Sequence, residues 1–213
     1  MNNKMVSAFL VLPAVIVGLT LHEFAHAYVS YRCGDSTAKD EGRLTLNPLR
    51  HIDIMGLVFL VFAGFGWAKP VQFNPAKLKN PRRDTMLIAL AGPLTNLVLG
   101  ILFSIVFALV IHFFPLSGSN PDVMWMYVVL KAFAMINLGL FVFNILPIPP
   151  LDGSHVLFQK LNLSKDLEYK IFSWGTAGLF VLLVVGQMFN INVLPIGEVV
   201  RFVFNLIVRA LIW

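Results

Sequence analysis

The stretch "GLTLHEFAHAYVSY", residues 18–31, puts two imidazoles and a carboxylate inside a run that is otherwise apolar from Met5 to Tyr31. On a helix, His22 and His26 are four residues apart, so both rings face one way, a turn apart. That spacing lets two nitrogens reach one Zn²⁺ at about 2.0–2.1 Å. Glu23 follows the first histidine and sits beside such an ion without binding it. There it can take a proton from a metal-bound water and pass it to a leaving amine. A catalytic zinc site needs a third protein ligand and an open position. The candidates are His51, Asp53, His112, Asp152 and His155.

The elements that must position these groups belong to a membrane protein. The chain has 213 residues, 58% of them hydrophobic and 13% charged, with a mean hydropathy of +0.79. Soluble domains are about a quarter charged. Apolar runs at 5–31, 86–114, 123–146 and 171–189 are long enough to cross a hydrocarbon core at about 1.5 Å per residue. A fifth run, 195–213, carries Glu198, Arg201, Asn205 and Arg209 on one helical face. It reads as a span packed on the bundle or a helix in the interface. The first run is too long for the apolar core of a signal peptide and contains the HEFAH group, so it is expected to be retained. Cys33, the lone cysteine, excludes an intramolecular disulfide.

An ionised side chain at the centre of a span costs about 2.5–3.5 kcal/mol on insertion scales. Such groups persist mainly where they have a partner or a task, which favours a metal site over a polar cluster bonded between helices.

Net charge is +5. Residues 32–85 hold nine basic side chains, and Lys160, Lys165 and Lys170 lie in 147–170, whereas 115–122 and 190–194 hold none. The positive-inside rule therefore places 32–85 and 147–170 in the cytoplasm of a multi-pass cell-membrane protein. Flanking charge explains the basic loops without nucleic acid.

The connector 32–85 contains an apolar piece, "IMGLVFLVFAGFGW", too short to span. Residues 43–75 are expected to form short strands and a re-entrant loop beside a cavity, since irregular backbone at membrane depth must be covered. After the third span, "NILPIPPLDGSHV" unwinds at its prolines. Asp152 on that backbone can turn towards the histidines, or can simply cap the helix that follows.

HEFAH in a first span, "AGPLTN" at 91–96 and "NILPIPPLDG" at 144–153 together resemble the site-2 protease family of intramembrane zinc metalloproteases. The likeness runs from about residue 5 to 190 and is closest to small bacterial and archaeal members without PDZ or CBS domains. The resemblance implies one Zn²⁺ per chain held by His22, His26 and Asp152, with Glu23 as the catalytic glutamate. It implies that Asn96 and Asn144 hold substrate or its oxyanion. It also implies that the connector is a membrane-associated β region whose edge pairs with an extended membrane-protein substrate. The family often has a second glycine after LDG, where Ser154 and His155 follow here, and His155 reads as a bystander. Gly92-Pro93 needs only a structural role, proline being tolerated in a first helical turn.

The expected architecture is thus an all-α polytopic membrane protein, one domain over 1–213, with about five to six transmembrane helices and a small β element between the first two. Two rivals are a metal carrier, which has no need of a general base at Glu23, and a degenerate scaffold that binds substrate without a working metal site.

Overall fold

A computed structural model describes residues 3–63, 66–114, 121–161, 163–189 and 191–212. The first apolar run forms helix α1 (Asn3–Arg32). It ends where Gly34 takes a φ of +110°. There the Gly34 amide donates to Tyr31 O and the Asp35 amide to Ser30 O, both at 3.1 Å. This paired closure needs a left-handed residue, which glycine supplies without steric cost.

Asp35 then anchors the connector. Its buried carboxylate accepts from Ser30 Oγ, from the Thr37 amide and hydroxyl, and from the Asn74 amide at 2.7 Å. Burial opposes ionisation, but these donors outweigh it and hold the carboxyl below its usual range. A short helix α2 (Thr37–Asp40) follows.

Helix α3 (Ile54–Ala63) takes up the apolar piece of the connector. Strands expected over 43–75 are not found among the described residues. One isolated antiparallel bridge joins Ile52 and Ala68. A continuous apolar run has no period-two alternation to prefer a strand, and a helix satisfies its own backbone at membrane depth. The following segment, 66–74, has no regular structure beyond that bridge, and Pro70 within it lacks the donor a ladder needs. It is instead a strap fixed at separate points. The Lys69 amide donates to His51 O at 2.8 Å, and Arg43 donates to Lys69 O. Val71 and Asn74 donate to carboxylates of Glu23 and Asp35.

Helix α4 (Pro81–Phe113) opens with proline at its first position. Its first turn is closed by Asp84, whose carboxylate accepts from the Asn80 amide at 2.8 Å. Pro93 is consequently not in a first turn but in the helix interior, where it cannot donate to the carbonyl of Ala89 and loosens that turn. Helix α5 (Pro121–Asn144) packs on α4 at close range. A Cβ placed on Gly100 would lie 2.7 Å from the Leu138 side chain and 3.0 Å from its amide nitrogen, the kind of approach that small residues permit between spans.

After α5 the chain breaks and restarts as helix α6 (Asp152–Leu161). Helices α7 (Lys165–Phe189) and α8 (Ile196–Ile212) complete the bundle. Val200 and Phe204 of α8 join Phe107, Tyr127, Ala134 and Leu138 in one buried apolar cluster. Among the described residues four helices, α1, α4, α5 and α7, are long and apolar enough to cross a membrane, fewer than the five to six expected. The last run gives α8, whose 17 residues are at the short limit of a span. It does pack on the bundle, yet its polar stripe of Glu198, Arg201, Asn205 and Arg209 stays exposed rather than facing protein.

Candidate metal centre

His22, Glu23 and His26 project from the inward face of α1 and are buried. The break between α5 and α6 brings Asp152 against them. Its carboxylate lies 3.1 Å from His22 Nε2 and 3.4 Å from His26 Nε2, while the two Nε2 atoms are 3.0 Å apart. A tetrahedral zinc with bonds of about 2.0–2.1 Å requires its donors about 3.3 Å apart, so the three separations fit one small ion. Among the described residues, His22, His26 and Asp152 form the sole cluster of three potential metal ligands.

The protonation pattern points the same way. His22 Nδ1 lies 2.6 Å from Asn96 Oδ1, and His26 Nδ1 lies 2.6 Å from Ile88 O. The amide of Asn96 is oriented by its other bonds. Nδ2 donates to Gly18 O at 3.1 Å and to Asn137 Oδ1 at 3.0 Å, leaving Oδ1 for His22. Both imidazoles therefore carry their protons on Nδ1, and both Nε2 lone pairs converge with a carboxylate. No protein donor satisfies the buried Asp152 Oδ2. With no donor between them, these three acceptors make a candidate cation site.

Two glycines make room for it. A Cβ on Gly92 would sit 2.6 Å from His22 Nε2, and nearer still to His26 Nε2, in the space that an ion bound to both would need. A Cβ on Gly153 would strike the main chain of Ile145 and Leu146. The glycine after Asp152 thus permits close packing that sets the aspartate's position.

Glu23 is held from the other side. Its Oε2 accepts from the Val71 amide of the strap at 2.9 Å. It also lies within electrostatic reach of His26 and of the buried Arg43.

The remaining candidates lie outside the ligand cluster. Asp53 accepts from the Gly56 amide at 2.8 Å, at the start of α3. His51 Nε2 donates to Thr45 O at 2.8 Å. His112 is in the last turn of α4, against Phe113. His155 rests against Phe172, and burial pushes its imidazole down towards the neutral form.

Asn96 is fully buried with its amide committed to protein groups, so no free atom is left for the substrate contact the resemblance implied. Asn144 Nδ2 bonds back to Leu140 O of its own helix at 3.0 Å. Asn137, which completes the chain to Asn96, went unremarked in the sequence. Its signal was an amide within an apolar run, costly unless partnered. Asn96→Leu is expected to lower metal affinity about 10–100-fold through loss of the His22 partner. Competition against a chromogenic chelator measures this, and unchanged affinity would remove Asn96 from the site.

Three comparisons accompany this geometry. The sequence model of peptidase family M50 matches residues 9–123 and 110–186. YwhC of Bacillus subtilis, named as a candidate zinc metalloprotease, is 41% identical over 143 residues, which are 67% of this chain and 65% of YwhC. Rip2 of Mycolicibacterium smegmatis, named likewise, is 34% identical over 181 residues, 82% of this chain and 66% of Rip2. The zinc metalloprotease MJ0392 of Methanocaldococcus jannaschii is 24% identical over 203 residues, 89% of this chain and 49% of that protein. The match thus spans just under two thirds of the first two relatives and about half of the third. No solved structure matches significantly.

Proposed function

Because this chain belongs to peptidase family M50, we propose that it is an intramembrane zinc endopeptidase, cutting peptide bonds in or near the membrane-spanning segments of other proteins. The observation that carries this reading is the acceptor-only pocket, with two imidazoles fixed on Nδ1 by carbonyl oxygens and facing one carboxylate.

His22 Nε2, His26 Nε2 and the Asp152 carboxylate hold the ion, one per chain. Zinc in such a site supplies Lewis acidity, polarising a carbonyl and lowering the pKa of water. Asn96 and the Ile88 carbonyl keep both rings in the ligating tautomer. Glu23 is the general base. Its Oε2 is steadied by the Val71 amide, and Oε1 takes the proton of the attacking water and returns it to the leaving amine.

A peptide must be unwound to be cut, and its freed main-chain groups then need partners. The strap 66–74 is irregular and anchored on one side, so a substrate strand laid beside it gains main-chain hydrogen bonds. Asn144, at the end of α5, offers a further amide to that strand or to the developing oxyanion. The basic loops 32–85 and 147–170 face the cytoplasm.

Zinc content of the detergent-purified protein tests the reading. We expect about one zinc per chain, lost in both His26→Ala and Asp152→Ala, since a missing ligand removes a third of the donor set. A folded wild type that takes up no zinc would overturn it.

A further inference from the structure

A cavity of about 320 Å³ lies beside the metal centre. Val15 and Leu19 of α1 form one wall, and they continue the stripe of α1 that carries His22 and His26. Leu19 precedes His22 by about 4.5 Å along the helix axis. Trp67, in the strap, closes a second side, and Gly139 and Phe143 of α5 a third. Each wall therefore runs within a few residues into a part of the site: the histidines, the strap that holds Glu23, and the break that presents Asp152.

The lining is mostly apolar, with Thr20, His51 and Asp53 as its polar side chains; the Asp53 carboxylate already accepts from the Gly56 amide. His51 is 1% exposed. Its Nε2 faces the Thr45 carbonyl at 2.8 Å and so carries the proton. That leaves Nδ1 a buried acceptor to which no protein donor reaches, a condition that native structures seldom leave uncompensated. The volume is about twice the ~150 Å³ that admits a benzene ring. It suits one large side chain together with the main chain that bears it. At Gly139 a built Cβ meets nothing within 4 Å, so the space extends to the α5 backbone.

We propose that this cavity is the substrate's side-chain subsite: it seats a bulky apolar residue, aromatic or branched aliphatic, close to the bond that is cut, while His51 Nδ1 accepts a main-chain N–H of the same extended segment. His51 is thus a specificity residue. The inference rests on the peptidase reading above and names the class of sequence that reading selects.

Gly139→Leu tests it, since leucine favours the helix that glycine weakens and projects into open space. The probes are two peptide hydroxamates, alike except for an alanine or a phenylalanine side chain, titrated calorimetrically into the zinc-loaded protein in detergent. Wild type is expected to prefer the phenylalanine probe by about tenfold or more. Gly139→Leu is expected to abolish that preference, with zinc content and alanine-probe binding retained. N-methylation of the probe's N–H is expected to weaken binding about tenfold in wild type, and to have little effect in His51→Leu. A phenylalanine preference that survives Gly139→Leu overturns the subsite, as does a wild type indifferent to the side chain. Failure of both probes to bind zinc-loaded wild type overturns the peptidase reading, and this inference with it.

Discussion

Gly92→Ala is expected to leave the helices intact and the metal site empty. The added Cβ would stand 2.6 Å from His22 Nε2 and closer to His26 Nε2, in the space where an ion bonded to both must sit. Neither ring can swing aside cheaply, because each is held at Nδ1, by Asn96 and by the Ile88 carbonyl. Zinc affinity should therefore fall by more than the roughly 10–100-fold that follows loss of one supporting hydrogen bond. Alanine in place of glycine also favours a helix interior by about 0.5–1 kcal/mol, so general unfolding is not the expected route to this loss. Zinc content by mass spectrometry, with circular dichroism on the same sample, checks both halves. Full zinc occupancy in the variant would show that the ion does not lie between His22, His26 and Gly92.

Glu23→Gln separates binding from chemistry. Glutamine can still accept from the Val71 amide, so the strap keeps its contact. It cannot take up a proton at neutral pH. Zinc content should stay at the wild-type level, while cleavage falls about 10²–10⁴-fold, the usual contribution of a positioned general base. Cleavage fragments of co-expressed single-span reporter proteins, compared by immunoblot between wild type and variant, provide the readout. Equal fragment yields would mean that another group moves the proton.

How much of this was legible in the sequence depended on where the information sits. His22, Glu23 and His26 could be picked out because residue type and spacing carry their chemistry directly, and the apolar setting made each ionisable group costly enough to need a reason; Asp152 was open between ligand and helix cap by local pattern, and only the family resemblance singled it out. The long helices followed from run length. The connector did not, since a continuous apolar stretch such as 54–63 satisfies either a helix or a buried strand by periodicity alone. Gly92 read as a residue of mere backbone convenience, because nothing local shows that two imidazoles from another helix converge on its missing side chain. Asn96 was read as facing substrate. Its partners, Gly18 O and Asn137, are distant in sequence and meet it only once α1, α4 and α5 pack. The strap's hold on Glu23 runs through a main-chain amide, which every residue but proline possesses and which no sequence pattern can mark.

The bonds through Asn96 join three helices at one buried amide: Gly18 O and His22 on α1, Asn96 on α4 and Asn137 on α5. Cofactor affinity and bundle cohesion are in consequence linked quantities. An ion that binds the assembled ligands and not the separated helices stabilises the assembly by RT ln(1 + [ion]/Kd), about 4 kcal/mol at a thousandfold excess over Kd. A chain that folds where zinc is scarce forgoes that increment, and the same few hydrogen bonds then set both how readily it is loaded and how long it survives unloaded.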